Sequence, residues 1–420
     1  MEKRRRITVT AATIPDDLLV SDVLVRLPAK SLARCRCVCR SWRAGIAAAA
    51  FIRRHLELSR SRAAQHPSAV PSIPRWIHPF DGRATCEMIS FHRLLLPPPG
   101  RRARAPPGIV DCHDPGSGDK VRDIDSELVL EKAWREGITR LISPTHCDGL
   151  VAIATATDRV FVCNPATGDH NAVLEHCEAE DFVPQVALGF DQWRNRYVVA
   201  RYFYRTYTYG GGAAGQDHDD VGHEVFALGA GGDWELTQDP PYAVGVQRPM
   251  CTWRAFYWHA DEPEPRLMRF GLQDRAFTVV PRPPTGWNPV DDMAALRDGS
   301  TLCYVHASAE ASFQVWLAED DDGRELQWSL RCRIDLLDPV PSVNYNLMPV
   351  TAADGDTLVA LAGGTLWKYD MGRKQGAEEV VAEMHNVRYR RRDGSKFFMD
   401  QPFVSEHHIV PYIESLVAIA

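Results

Sequence analysis

Residues Ile14 to Trp42 read IPDDLLVSDVLVRLPAKSLARCRCVCRSW, a run of short amphipathic helices broken at Pro28. Leu18, Leu19, Val23, Leu24 and Leu27 recur at helical steps and gather on one stripe. Pro15 suits a first helical turn, Asp16 and Asp17 suit the positive end of the helix dipole, and Pro28 stops the run. A second helix is expected at once, capped by Ser31. It places Leu32, Cys35, Val38, Cys39 and Trp42 on one side and Arg34, Arg36, Arg40 and Arg43 on the rest. A unit of about 40 residues rarely holds a core without disulfides, metal or another chain. The stripe therefore needs a partner, in this chain or outside it.

The whole chain, at 420 residues and 45% apolar, exceeds one typical domain and can bury a large core. Its net charge of −7 is unevenly spread: residues 1–62 carry fourteen basic and five acidic side chains, which leaves −16 on the remainder. A solvated arginine face accounts for the excess, and so does steering toward an acidic partner. Eleven cysteines are scattered through the chain, and MEKRRRITVTAATIPDD lacks the uninterrupted apolar core of a signal peptide. A reducing, intracellular setting is expected, in cytoplasm, nucleus or both. The longest apolar candidate, Ala44 to Ile52, is far short of the roughly 20 residues that cross a bilayer.

From Ser61 to Pro107 the chain is rich in proline and arginine and reads as a connector with irregular loops. After it, short strand-like runs alternate with Gly, Asp, Asn and Pro. One three-strand order recurs from Gly149, Ala255, Leu302 and Leu358, and a further hairpin begins at His223. Hairpin turns at Gly232, Asp274, Gly323 and Gly372 are spaced by 42, 49 and 49 residues, the size of a four-stranded propeller blade. The interval from Gly168 to Gly232 is longer, 64, and holds an inserted loop. A sandwich does not require such recurrence. The expected fold is mixed and mainly β: a small helical N-terminal part, then a β-propeller of six blades, within a range of five to eight. PYIESLVAIA at the end supplies a closing strand. Such a closed body has little need of a helical subdomain, so the opening stripe should face outward.

Chemistry leaves few traces. Cys35, Cys37 and Cys39 lack the CxxC pairs of a metal site and are expected in a helical core. His146–Cys147 and His176–Cys177 have no third ligand at recognisable spacing. Gly210 to Asp220, GGGAAGQDHDD, lacks the helix of a phosphate cradle and the ligand spacing of a calcium loop, and reads as a surface loop. Glu319 to Asp322 reads as a charged hairpin tip. Basic runs at Arg101–Arg104 and Arg388–Arg392, the latter interleaved with Tyr389, suit nucleic acid only locally, since the acidic balance of the larger part opposes a phosphate backbone. No serine elbow or HExxH occurs, so no catalytic residue, metal ligand or cofactor is assigned.

The ordered residues of Ile14–Trp42, from Pro-acid-acid-Leu-Leu through Leu-Pro-x-Lys-Ser-Leu to Val-Cys-basic-Ser-Trp, resemble the plant form of the F-box. Ile14, Val23 and a Pro15–Pro28 interval one residue longer than in many members are departures. The resemblance implies a helical motif that docks on a Skp-type adaptor, and through it a cullin and a RING subunit. It implies that Pro15, Leu18, Leu19, Leu24, Leu27, Pro28, Leu32, Val38 and Trp42 form or support the adaptor-facing surface. CDGLVAIA, VFVCNPATGD, LGFDQWRNRYVVARYF and YIESLV are similar to strings of the kelch-like F-box associated domain. The implied division is an F-box over 10–58, a Pro/Arg-rich linker with a first strand over 59–84, and the propeller over 85–420. The implied role is substrate recruitment in an SCF-type ubiquitin ligase, without catalysis by this chain. Alternatives are a propeller enzyme or sugar-binding protein whose F-box serves its own turnover, and an F-box protein acting without a cullin. Tyr204–Gly222 and Asp261–Pro265 are candidate target-binding loops by position; the target itself is not legible.

Overall fold

The computed structural model describes residues 15–65, 68–77, 85–95, 124–138, 145–154, 160–173, 186–206, 220–229, 234–245, 247–260, 264–296, 299–309, 311–321, 325–336, 346–353, 356–372, 378–397 and 408–419. The helical part runs through a single turn α1 (Asp16–Leu18), a wide π-turn at Leu19–Val23 and a 3-10 turn at Leu24–Arg26. Helices α2 (Ala29–Cys35), α3 (Arg40–Ala47) and α4 (Ala49–Gln65) follow. A π-turn is a helix that has absorbed an extra residue, which accounts for the long Pro15–Pro28 interval.

The continuous helix expected from Ser31 to Trp42 is two helices. Pro28 occupies the N-cap of α2, and the Cys39 Sγ, not the Ser31 hydroxyl, caps the next helix by accepting from the Trp42 amide at 3.4 Å. The bend between them turns Cys37 and Cys39 into solvent while Cys35 stays against the helical core. Core packing of all three thiols is thereby corrected. Leu24, Val25, Leu32, Ile46 and Phe51 form that core.

The stretch from Ser61, read as a connector with a first strand, holds regular structure over most of its described residues. Helix α4 continues to Gln65, and Ser68–Ile77 and Thr85–Leu95 are strands; residues 96–107 lie outside those described. Five blades are four-stranded antiparallel runs of consecutive strands. Blade I comprises Thr145–Cys147, Leu150–Ala154, Val160–Cys163 and His170–Val173. Blade II comprises Val186–Asp191, Arg196–Thr206, Asp220–Ala227 and Glu235–Leu236. Blade III comprises Met250–Cys251, Ala255–Ala260, Arg266–Gly271 and Phe277–Val280. Blade IV comprises Asp292–Leu296, Thr301–Ala309, Ser312–Glu319 and Ser329–Asp335, and blade V Met348–Ala353, Thr357–Ala362, Thr365–Asp370 and Glu378–Glu383. The count of six is thus amended to five contiguous blades and a composite four-stranded sheet that joins them. This sheet is ordered His408–Pro411, Ser68–Ile77, Thr85–Leu95, Glu127–Ile138. The innermost strands touch in sequence around the ring and return to the first.

The recurring three-strand order in the sequence corresponds to strands two to four of a blade. The innermost strand precedes that order in each blade, and it runs from two residues at Met250–Cys251 to six at Val186–Asp191 and Met348–Ala353. The closing strand is His408–Pro411, paired with Ala69, Val70, Pro71 and Ser72, rather than the terminal VAIA. Apolar strings run unbroken because each blade is buried on both faces. In Thr357–Ala362, Leu358 and Ala360 pack toward blade IV, whereas Val359 and Leu361 pack toward the composite sheet.

Burial pushes the His92 and His259 imidazoles down from 6.5 to about 4, and that of His223 to about 3. The unfolded chain therefore binds more protons than the folded one below pH 6.5. Stability from these residues is complete above 6.5 and is lost as the pH falls toward 4. Thermal unfolding is expected to show Tm declining from about pH 6.5 downward, less steeply in a His92→Gln, His259→Gln variant. An equal slope in that variant would contradict this account.

Candidate functional site

The helical part leaves three large apolar side chains exposed to solvent. Leu18 is 53% exposed, Val23 48% and Val38 63%, high values for side chains of this type. Pro15 and Pro28 are also exposed, while Leu19, Leu27 and Trp42 are half-buried. Leu24 and Leu32 are buried in the helical core and can only support the surface from behind. Val23, which is not among the residues the resemblance implies, is exposed too; the π-turn displaces it from the stripe that Leu24 follows inward. Helix α3 crosses the first turns closely at Gly45, where a Cβ would meet Val20 Cγ1 at 2.9 Å.

The opposite side of the helical part is fastened to the propeller. Ile52 and Leu56 of α4 pack against Leu150, Ala152, Leu188, Val417 and Ile419 between blades I and II. Outward orientation of the whole subdomain is thus corrected for α4. Beyond this contact, Arg60 donates from Nε and Nη2 to both carboxylate oxygens of Asp148, at 2.7 to 2.9 Å. The Tyr197 hydroxyl donates to the same carboxylate at 2.9 Å. Burial, and then the neighbouring Asp148 charge, hold that hydroxyl far above its ordinary pKa, so it remains a donor. The Arg60 guanidinium also lies 4.3 Å over the Trp253 ring of blade III.

The string CDGL, Cys147–Leu150, is the local device behind this joint. Asp148 and Gly149 adopt φ of 52° and 81°, a turn that favours glycine at the second position. A Cβ on Gly149 would also stand 2.1 Å from the Ile413 carbonyl oxygen. The terminal YIESLV seals the same junction. Glu414 accepts from the Ala29 amide at 2.8 Å, at the positive end of α2. Asn164 of the string NPATGD donates to the Ser415 and Val417 carbonyls at 3.2 and 2.9 Å.

The turns that meet Arg60, Asp148 of blade I and Trp253 of blade III, both join first to second strands. Antiparallel pairing then places the second-to-third-strand turns on the far face of the ring. Both candidate target-binding loops, Tyr204–Gly222 and Asp261–Pro265, start from that face; their residues 207–219 and 261–263 lie outside those described. Arg205 and Asp239 form a bidentate pair there at 3.0 and 2.8 Å, and Arg266 lies 4.7 Å over Tyr242.

A narrow cavity on the ring axis is lined by His146, Arg248, Met293 and Pro349. Burial raises the Asp292 carboxyl beside it, but that group accepts from Arg248 and the Met293 amide. It is held in a structural contact. Among the described residues no group of three or more His, Cys, Asp or Glu side chains could hold a metal ion. Asp320, expected at a charged tip, is buried and accepts from the Thr252 hydroxyl. Tyr389, whose ring base stacking would require exposed, is fully buried. Arg101–Arg104, His176–Cys177 and most of Gly210–Asp220 fall outside the described residues.

The sequence pattern of the F-box associated beta propeller domain matches residues 119–419, and the F-box-like pattern matches residues 11–56. An F-box/LRR-repeat protein of Arabidopsis thaliana is 25% identical over 71% of this chain and 62% of its own length. An F-box protein of the same plant is 23% identical over 94% of this chain and 81% of its own. An F-box-like domain binds Skp-type adaptors in general.

Arg60→Ala leaves the Asp148 charge buried without its cation and is expected to lower unfolding free energy by about 3 kcal/mol in chemical denaturation. The double variant with Asp148→Ala should fall short of the summed single losses by about 1–3 kcal/mol. Additive losses would show that the pair does not join the two parts.

Proposed function

We propose that this chain, which belongs to the F-box proteins carrying an F-box associated β-propeller domain, is the substrate-recruiting subunit of an SCF-type ubiquitin ligase. The observation that carries this reading is the exposed apolar trio Leu18, Val23 and Val38 on a motif that is fixed to one face of a propeller. The trio docks on a Skp-type adaptor, which connects to a cullin and its RING subunit, and the far propeller face holds the target protein. The chain performs no bond chemistry itself. Its contribution is effective concentration: a target held near a charged conjugating enzyme reacts as if within one molecule. This takes place in a reducing compartment, cytoplasm or nucleus.

Arginines at 26, 34, 36, 40 and 43, in the same stretch of sequence as Val23 and Val38, are exposed. Such a field speeds encounter with an acidic surface more than it tightens the complex, and it weakens with salt.

Affinity purification of the full-length protein is expected to recover adaptor and cullin together. Leu18→Asp and Val38→Asp should each weaken adaptor binding by at least about tenfold, as loss of a central apolar anchor does, with the unfolding temperature unchanged. Leu24→Asp would unfold the motif and is uninformative about contact. Adaptor affinity unaltered in both surface variants would overturn the docking reading, and adaptor recovered without cullin would overturn the ligase reading.

A further inference from the structure

Among the described cysteines, Cys35, Cys147 and Cys251 are half-buried and the rest lie at the two extremes. Cys163, Cys303 and Cys332 of the propeller are buried, and burial pushes the first up to about 12 and the last to about 11. Such thiols form little thiolate and meet no reagent. Cys37 and Cys39 are exposed, and they flank Val38, the most exposed member of the apolar trio at 63%.

Their surroundings favour attack on an anionic reagent. Arg34, Arg36, Arg40 and Arg43 are all exposed within six residues of these thiols, and no Asp or Glu occurs from Val23 to Leu56. Glu414, from the far end of the chain, is directed to the Ala29 amide at the other end of α2. The two positions differ in one respect. Cys39 accepts the Trp42 amide at the positive end of the eight-residue α3, whereas Cys37 follows the negative end of α2 and points to the Ala33 carbonyl.

We propose that the Cys37–Val38–Cys39 cluster is a thiol switch on the docking face, at which a small anionic disulfide of the glutathione class forms a mixed disulfide and abolishes adaptor docking. The cysteine thiolate attacks one sulfur of glutathione disulfide, a new S–S bond forms as the old one breaks, and one glutathione leaves as its thiolate. The protein sulfur is oxidised and the departing glutathione reduced. The adduct sets a charged tripeptide beside Val38, where docking requires a dry apolar contact. The arginines attract it, and Cys39 is the preferred point of attack.

The consequence for docking rests on the adaptor reading above; the thiol chemistry does not. The full-length protein would be treated with glutathione disulfide, mapped by peptide mass spectrometry, and its affinity for a plant Skp-type adaptor measured before and after dithiothreitol. Modification of Cys37 and Cys39 is expected to outpace that of Cys163, Cys303 and Cys332 by at least about tenfold. Adaptor affinity should fall by at least about tenfold and return on reduction. Cys37→Ser, Cys39→Ser protein should bind adaptor and ignore the disulfide. Even labelling of all cysteines, or full adaptor affinity with the adduct present, would overturn the switch. Failure of the reduced protein to bind adaptor would instead overturn the docking reading, with the labelling pattern still deciding the chemistry.

Discussion

The ion pair between Arg60 and Asp148 fixes how the helical motif and the propeller stand relative to each other. Its carboxylate is almost fully buried, with 4% of the side chain exposed. A buried charge is costly unless its lone pairs are satisfied, and here Arg60 and the Tyr197 hydroxyl satisfy them from two directions. The turn that presents Asp148 exists because glycine follows it, and the close passage of the chain terminus over Gly149 depends on the same missing Cβ. One joint therefore ties α4, blades I, II and III, and the tail from Tyr412 to Ile419.

Around this joint, packing follows from strand geometry. Each blade buries alternate residues against its two neighbours, so a break at any interface opens both adjoining sheets. The composite sheet uses strands from both ends of the chain, His408–Pro411 beside Ser68–Ile77. Closing a ring this way leaves no inner edge free, and it brings the terminal residues back to the face that carries the helices. Glu414 can then reach the amide of Ala29, across 385 positions of sequence.

Legibility in the sequence tracked the range of the interactions. The helical motif and the strand-turn-strand order were readable because periodicity and turn residues act over a few positions. Leu18 and Val38 are exposed, and Leu24 and Leu32 are buried in the helical core. Val23 and Leu24 part, the one exposed and the other buried, because a π-turn shifts the helical register, and a simple period of 3.6 does not contain that shift. Cys37 and Cys39 were misjudged because the bend between α2 and α3 depends on a cysteine cap. The joint itself was invisible: it pairs residues 88 positions apart, and CDGL read only as a turn with an apolar strand behind it. The strings CDGL, NPATGD and YIESLV meet at one junction.

A rigid joint matters to the proposed role because proximity is effective only where geometry is fixed; a swinging domain dilutes its cargo over a large volume. Hydrogen exchange on the intact protein tests this directly. If the motif and propeller form one body, the amides of Ala49–Gln65 open with the same free energy as those of Leu150–Ala154. Helical amides that exchange freely while the blade I strand stays protected would contradict a fixed joint.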